Sequence, residues 1–230
     1  METFYANKEI SIDGLIEIED KNEVVHAFAS LRMKPDEIVE IINGKGIRFK
    51  SRVIDCSKNK LTVLPIEEII SDSEYSEVKL SAAVSMLNKS SKMKLLIEKL
   101  TEIGICEFIP FVSERTAFPK MSADSLKPSM ISALKQCGGN AEVKISDTIS
   151  FKKLICLNGF SEKYFADING ESFHGKKVTG RVLAVVGPEG GLADSEINDL
   201  VSSGFKSIKL NKRILRAETA AIVTASKFLY

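Results

Sequence analysis

A short apolar run near the end of the chain, residues 182–186, constrains the fold more than any other segment. It is rich in valine and stops abruptly at Gly187-Pro188-Glu189-Gly190-Gly191. A continuous, β-branched run of this length is typical of a strand buried on both faces, as in parallel sheets. The glycines and proline end the strand in a loop, and apolar spacing over residues 194–203, closed by Gly204, predicts a helix after it.

Ligands bind open α/β sheets beyond the carboxyl ends of the strands, so the position of this loop predicts a small-molecule site. The loop is neither a Walker A motif nor a GxGxxG motif. A tight turn without a ligand is the alternative. Residues 205–210 alternate apolar and polar, which predicts a further strand. A second loop follows, with Arg216 and Glu218 just before an apolar C-terminal helix. Two successive strand-end loops make a candidate pocket.

The residues before this pocket alternate between strand and helix patterns, which predicts an α/β fold with a parallel sheet. Strands are predicted at 78–84, 107–112 and 163–168, and helices at 89–103, 125–137 and 151–157. The segment 167–170 is predicted to be a third strand-end loop bordering the pocket. The polar segment 71–77 predicts a domain boundary, which divides the chain into residues 1–72 and 73–230.

The N-terminal part has a different pattern, with a predicted helix at 21–33 and predicted strands at 37–42, 47–55 and 61–66. Short strands separated by turn sequences suggest a small β-barrel. Residues 1–74 contain 10 basic and 15 acidic side chains, a net charge of −5, and the remainder has a net charge of +6. A polyanion is therefore expected to be bound mainly by the C-terminal part.

Composition excludes several other classes of protein. The four cysteines are scattered, which favours free buried thiols in a reducing cytosol. His26 and His174 are isolated from each other and from the cysteines, so no metal site is expected. No apolar stretch reaches membrane-spanning length and the N-terminus lacks a signal pattern. These features together predict a cytoplasmic location.

The motif GPEGGL, followed after one helix and one strand by LNKRILRAETAA, resembles the family of 16S rRNA uridine-N3 methyltransferases (ribosomal RNA small-subunit methyltransferase E). That family belongs to the SPOUT class, whose members carry a C-terminal trefoil knot. The resemblance implies S-adenosylmethionine as the methyl donor and a homodimer as the working form. It also implies a PUA-like barrel in the N-terminal domain, where LRMK at 31–34 is similar to the family signature.

The resemblance assigns residues to three roles. Methyl-donor binding falls on Gly187, Pro188, Glu189, Gly190, Gly191, Leu210, Ile214, Leu215, Arg216 and Thr219. Glu218 and Glu189 are candidate base or orienting carboxylates, and Arg216 is the candidate cation beside the uracil oxygens. Contacts with substrate RNA fall on Arg32, Lys92, Lys99, Ser113, Glu114, Arg115 and Asn140.

The sequence departs from the family pattern at two places. Thr3 stands where an arginine usually precedes the first aromatic residue, and Gly139 and Ala141 replace two arginines of a basic turn that Glu142 makes more acidic. The leading hypothesis is methylation of N3 of a uridine in 16S rRNA of the small ribosomal subunit. A non-catalytic RNA-binding or ribosome-assembly factor, and a SPOUT methyltransferase for another RNA such as tRNA, are the alternatives.

Overall fold

The computed structural model describes residues 1–69, 77–116, 121–173 and 178–230, and the chain divides into two compact units. The first unit comprises Met1–Tyr75 and Leu134–Glu142, and the second comprises Ser76–Ala133 and Val143–Tyr230. The predicted boundary at residue 72 lies outside the described residues.

The first unit is a curled five-stranded sheet with one helix. The strands are β1 (Thr3–Tyr5), β2 (Ile16–Ile18), β3 (Ile38–Ile42), β4 (Arg48–Cys56) and β5 (Leu61–Ile69), in the order β1-β3-β4-β5-β2. Helix α1 (Lys21–Val25) begins at Asp20, whose side chain accepts hydrogen bonds from the amides of Asn22 and Glu23. The helix continues with π-helical hydrogen bonding over His26–Leu31 and ends at Arg32. The predicted helix and three strands are confirmed.

A buried arginine organises the edge of this sheet. Arg48 is 7% exposed and pairs with Glu40, and its Nε and Nη2 atoms donate to Asn140 Oδ1 at 3.0 Å and to the carbonyl of Gly139 at 3.1 Å. Thr3 joins the network by donating from Oγ1 to Glu40 Oε2. The segment that departs from the family's basic turn is therefore held by Arg48, a cation of the same unit. Asn140 is 2% exposed, so its side chain serves this network.

The second unit is a parallel sheet with helices on both faces. Its strands are β6 (Val78–Ser85), β7 (Glu107–Val112), β8 (Lys144–Ile145), β9 (Ile149–Ser150), β10 (Glu162–Ser172), β11 (Gly180–Val186) and β12 (Lys206–Lys209). Four helices lie wholly in this unit: α2 (Ser90–Ile103), α4 (Phe151–Ile155), α5 (Asp194–Ser202) and α6 (Ala217–Leu229). A further helix, α3 (Lys127–Cys137), begins in this unit, and its residues from Leu134 onward belong to the first unit. The strand order is β12-β10-β11-β6-β7-β8, with β9 paired to β7. The predicted α/β fold with a parallel sheet is confirmed.

Strand β11 lies in the middle of this sheet, between β10 and β6. Its residues contribute alternately to two apolar cores. Val182, Ala184 and Val186 pack in the core that includes α2 and α6, and Leu183 and Val185 pack in the core that includes α4 and α5. The prediction of a strand buried on both faces is confirmed. Helix α5 ends before Gly204, whose φ of 81° provides the left-handed turn predicted there.

The structure corrects the prediction for residues 167–170. They were expected to form a loop, but they lie within β10 and form a bulge against β12, where the pairing shifts between Ala166 and Glu171. Gly170 makes this close approach possible, because a Cβ atom there would lie 2.8 Å from both the backbone nitrogen and the carbonyl carbon of Ile208. A bulge of this kind redirects side chains without ending the strand.

We expect Gly170→Ala to destabilise the protein. The added methyl group meets backbone rather than a movable side chain, so β10 and β12 must separate, and overpacking of this kind costs about 1–3 kcal/mol. The measurement is the free energy of unfolding in urea, with Asn169→Ala as the matched change at the neighbouring, exposed position. Equal stability of the two variants would contradict the proposed close packing.

The prediction that the cysteines are buried is wrong. All four are free, but Cys106, Cys137 and Cys156 are exposed and Cys56 is half-buried. No group of three or more His, Cys, Asp or Glu side chains among the described residues is arranged to hold a metal ion. Within the same residues, every helix is too short or too polar to cross a membrane. His174 lies outside the described part of the chain.

Candidate functional site

A cavity of about 660 Å³ opens beside the middle of β10 and the carboxyl ends of β11 and β12. Ligand-binding clefts in proteins commonly have volumes of about 300–1,000 Å³. Its walls come from the bulge of β10, the loop after β11 and the loop before α6. The lining residues are Lys92, Phe165–Asn169, Val186–Leu192, Ile197, Leu210, Asn211, Arg213–Ala217 and Ala220.

Most of the residues predicted to bind the methyl donor lie together in this cavity. They are Gly187, Pro188, Glu189, Gly190, Gly191, Leu210, Ile214, Leu215 and Arg216. Thr219 is exposed on α6 and does not line the cavity. The predicted association of two strand-end loops is therefore confirmed, and Thr219 lies apart from them.

The loop after β11, residues 187–192, is hereafter the glycine loop. Gly187 packs against the far end of the loop, because a Cβ atom there would lie 2.9 Å from Leu192 Cγ and 3.2 Å from the Leu192 nitrogen. Gly191 has a φ of 71°, and its amide closes a turn onto the Pro188 carbonyl at 2.9 Å. Gly190 differs, since a methyl group there would make only ordinary contacts of 3.6–3.7 Å with Arg115. Gly187 and Gly191 therefore shape the loop itself, and Gly190 faces the Arg115 side chain. A Cβ atom at Gly191 would meet no protein atom within 4 Å.

Lys92 on α2 interacts electrostatically with both the glycine loop and the first turn of α6. Its Nζ atom donates to Glu189 Oε1 at 3.0 Å and lies 3.9 Å from Glu218 Oε1. The three side chains are 25%, 29% and 14% exposed, so they are largely withdrawn from solvent. Lys92 was predicted to bind RNA, but the structure places it in the cavity wall between two carboxylates.

The pKa of Glu189 is held below its ordinary value. Partial burial raises this pKa, but hydrogen bonds from Lys92 and from the backbone amides of Asn88 and Glu189 outweigh the effect of burial. A carboxylate with a lowered pKa is a weak proton acceptor at neutral pH. This favours an orienting role for Glu189 over a role as the base.

We expect Lys92→Met to lower the melting temperature at pH 7 by about 2–4 °C, the shift that about 1 kcal/mol produces in a protein of this size. The Lys92–Glu189 pair stabilises the fold above the pKa of an unfolded glutamate and loses this effect as the pH falls through the lower, folded-state pKa. The difference between variant and wild type should therefore shrink as the pH falls below about 4.5. Lys94→Met, on an exposed position of the same helix, is the control. A difference that is the same at pH 7 and pH 3.5 would contradict this role of the pair.

Arg216 and Glu218 lie at the start of α6. Arg216 is the N-cap residue and its exposed side chain lines the cavity. Glu218 lies in the first helical turn, where the helix dipole favours a negative charge. Its Oε2 atom is buried and has no hydrogen-bond partner among the described residues. A buried carboxylate oxygen without a partner retains the capacity to accept a proton or a hydrogen bond.

The remaining residues predicted to bind RNA belong to both units and differ in their surroundings. Arg32 is exposed in the first unit. Lys99 pairs with Glu98 and Glu102 on the outer face of α2. Ser113 is 5% exposed and hydrogen-bonds Ser85 and Thr116, so contact between its side chain and RNA would require that network to open.

Several cavity residues were not identified from the sequence. Ile197 reaches the cavity from α5, and Asn211 and Arg213 reach it from the loop before α6. The signal for Asn211 and Arg213 was available, because both belong to the second strand-end loop. Ile197 was identified only as part of an apolar helix face, and the helical period does not indicate that this face borders a cavity.

Comparison with known proteins identifies the family. Residues 74–229 match the model of the RNA methyltransferase domain, and residues 18–66 match the model of the RNA methyltransferase PUA domain. The ribosomal RNA small subunit methyltransferase E of Rickettsia conorii is 27% identical over 229 residues, which cover 97% of this chain and 93% of the relative. The protein of the same name from Mesomycoplasma hyopneumoniae is 32% identical over 170 residues, which cover 70% and 74%.

Solved structures agree with this family. The ribosomal RNA small subunit methyltransferase E of Neisseria gonorrhoeae, solved with S-adenosylmethionine bound, has a TM-score of 0.87, 25% identity, and coverage of 98% of this chain and 95% of that one. A methyltransferase from Legionella pneumophila shares the fold with a TM-score of 0.88, 23% identity, and coverage of 97% and 95%. The resemblance found in the sequence is confirmed, and the chain belongs to the RNA methyltransferase family, with that family's PUA domain in its N-terminal part.

Proposed function

We propose that this protein transfers the methyl group of S-adenosylmethionine to N3 of a uridine in 16S rRNA of the small ribosomal subunit. The observation that carries the proposal is the cavity, which brings the GPEGG and NKRILRA segments together within a domain of the RNA methyltransferase family. The names of the relatives support small-subunit ribosomal RNA as the substrate. The choice of N3 of uridine rests on the similarity of the two motifs to the uridine-N3 branch.

The cavity fits the methyl donor by its volume and by the groups that line it. Gly191, where a Cβ atom would meet no protein atom within 4 Å, leaves the backbone of the glycine loop open to close approach, as backbone recognition of an adenosine group requires. Leu210, Ile214 and Leu215 offer apolar walls for the adenine ring. Bound S-adenosylmethionine supplies an electrophilic methyl group on a positively charged sulfur.

We expect Gly191→Ala to raise the dissociation constant for S-adenosylmethionine by at least about tenfold, because the added methyl group would meet no protein atom within 4 Å and Gly191 lines the cavity. Gly204→Ala is the matched control, since its φ of 81° strains alanine much as the φ of 71° at Gly191 does, its added methyl group also meets no protein atom within 4 Å, and the residue lies outside the cavity lining. Thermal melting should show a similar loss of stability in both variants, and titration calorimetry should show a loss of donor affinity in Gly191→Ala alone. Unchanged donor affinity in Gly191→Ala would place the donor elsewhere.

The acceptor nitrogen determines which residues the reaction needs. N3 of uridine carries a proton, so it becomes a good nucleophile only when that proton leaves and the negative charge on the ring is stabilised. We assign Glu218 as the proton acceptor, because its Oε2 lacks a partner and Glu189 is already engaged by Lys92. Arg216 supplies the positive charge beside the uracil oxygens. The N3–CH₃ bond forms as the S–CH₃ bond breaks, and the N3 proton passes to the Glu218 carboxylate.

The substrate must present an unpaired base. N3 lies on the Watson–Crick edge of uracil, so the uridine must be unpaired or flipped out of a helix before attack. The exposed Arg32 and the half-buried Lys99 remain candidates for phosphate contact. Arg213, an exposed residue of the cavity wall, is a further candidate beside them.

The proposal includes the trefoil knot of the SPOUT class, a homodimer and a cytoplasmic location. Residues 210–217 return to the cavity beside the glycine loop, which is compatible with a knotted C-terminal segment. Ile214 is 85% exposed at the cavity and Tyr230 is 88% exposed at the chain end, and a second copy would cover such side chains. Ribosomal RNA as substrate accords with the cytoplasm.

Transfer of labelled methyl from S-adenosylmethionine tests the substrate. Small ribosomal subunits lacking uridine-N3 methylation, naked 16S rRNA and bulk tRNA are compared at saturating donor. We expect label in the subunits above the other two RNAs. Label in tRNA alone would favour the second candidate, a methyltransferase for another RNA. Donor binding without label in any RNA would refute the proposed substrate.

A further inference from the structure

Residues 113–116 at the end of β7, hereafter the brace loop, contact the glycine loop directly. The family resemblance assigned Ser113, Glu114 and Arg115 to RNA. In the structure, the Arg115 guanidinium turns toward the protein, and its Nη1 donates to the carbonyls of Gly190 at 3.1 Å and Leu192 at 3.4 Å. The stem of the same side chain packs over Gly190, where Cβ and Cδ of Arg115 are the nearest atoms. Arg115 therefore fixes two carbonyls of the glycine loop.

Glu196 on α5 provides a second link between the two loops. Its Oε1 accepts a hydrogen bond from the Glu114 amide at 2.9 Å, and its Oε2 accepts one from the Ala193 amide at 3.0 Å. Glu196 is only 6% exposed. Ala193 is the residue at which the glycine loop enters α5, so one buried carboxylate caps that helix and holds the backbone of the brace loop.

The brace loop is itself anchored in the sheet. The Ser113 amide donates to Thr116 Oγ1 at 2.8 Å, and the Ser85 hydroxyl bonds both Ser113 at 3.2 Å and Thr116 at 2.9 Å. Ser85 is the last residue of β6 and is fully buried. The brace loop is therefore hydrogen-bonded to the central strands through Ser113 and Thr116, and to the glycine loop through Arg115 and Glu196.

We propose that Arg115 and Glu196 are positioning residues for the methyl donor. The inference rests on the proposed function, because the glycine loop is taken to bind the donor. Flexible glycine-rich backbone loses entropy when a ligand orders it, and a loop held beforehand in its binding conformation avoids that cost. Arg115 and Glu196 hold the loop from outside, so their contribution appears in donor affinity.

The test compares Arg115→Ala, Arg115→Lys and Glu196→Gln with wild type. We expect Arg115→Ala to raise the dissociation constant for S-adenosylmethionine by about tenfold or more, measured without RNA. Its kcat at saturating donor and its KM for small subunits should stay within about threefold of wild type. The variant should weaken donor binding equally in the ground state and the transition state, so the rate of the chemical step should not change. Arg115→Lys retains one donor for the carbonyls and should recover part of the affinity. Lys94→Ala, which removes an exposed cation of α2, is the matched control.

Hydrogen exchange of the free protein gives a readout that does not depend on the proposed function. The amides of Gly191 and Ala193, which donate to Pro188 and Glu196, should exchange faster in Arg115→Ala and Glu196→Gln than in wild type. If wild type fails to bind S-adenosylmethionine, the proposed function is refuted. The exchange rates still test whether Arg115 and Glu196 hold the glycine loop. Unchanged exchange rates of these amides in both variants would overturn the proposal that Arg115 and Glu196 hold the glycine loop. A raised KM for small subunits with unchanged donor affinity in Arg115→Ala would also overturn the proposal, and it would favour a role for Arg115 in RNA binding.

Discussion

Arg216→Ala should lower the rate of methyl transfer at saturating donor by about 10²- to 10³-fold, the effect of removing one group that stabilises developing charge in an enzyme site. Arg216 lines the cavity with a positively charged side chain and is the N-cap residue of α6. Its side chain makes no hydrogen bond that caps the helix, so its removal should cost little stability. Single-turnover transfer to small subunits measures the chemical step directly.

Arg216→Lys is the matched variant for this prediction. Lysine keeps the charge but lacks the planar pair of donors that arginine can direct at two oxygens, so part of the rate should return. The melting temperatures of both variants should remain close to that of wild type. Near-normal turnover of Arg216→Ala at saturating donor would remove Arg216 from the chemistry and leave it as a cavity-lining residue.

Glu218→Gln should lower the single-turnover rate by about 10²- to 10⁴-fold, the usual contribution of a general base. Glutamine has nearly the same shape and can still accept hydrogen bonds, but it cannot take the N3 proton. The loss should shrink as the pH rises, because a uridine that loses its proton to solvent no longer needs the carboxylate. The measurement is the pH dependence of the single-turnover rate of wild type and variant.

Glu189→Gln separates the two carboxylates. The pKa of Glu189 is already lowered by its hydrogen bonds, chiefly from Lys92, against the opposing effect of burial. Removing its charge should therefore weaken the Lys92 contact and stability more than the chemical step. If Glu189→Gln lost more rate than Glu218→Gln and its loss also declined at high pH, the roles assigned to the two residues would have to be exchanged.

Much of the second unit follows from local sequence patterns. A valine-rich run ending in glycines predicts the buried strand β11 and the loop after it. Only a central strand of a sheet covered on both faces buries apolar side chains on its two sides. Gly204, with a φ of 81°, ends α5 where the sequence expected. The shared cavity of the two loops also follows, since the carboxyl ends of parallel strands meet at one edge of a sheet.

Other features depend on contacts with residues that are distant in the sequence, which a local pattern cannot predict. Residues 167–170 look like a turn, yet they continue β10 because Gly170 lets the bulge pack on the backbone of β12. Lys92 lies on a polar helix face that is typical of solvent exposure, but two carboxylates distant in sequence surround it. Arg115 likewise looked available to phosphate, and its acceptors are carbonyls of the glycine loop. Motif resemblance marked these residues as functional without saying what they touch.

The position of the transferred methyl group tests the central claim most directly. Small subunits labelled by the protein are digested to nucleosides, and the labelled nucleoside is identified by chromatography and mass spectrometry. The arrangement of Arg216 and Glu218 beside the donor cavity predicts that the label appears as 3-methyluridine. Label on a ribose hydroxyl, on a carbon of the base or on a nucleoside other than uridine would contradict the proposed reaction.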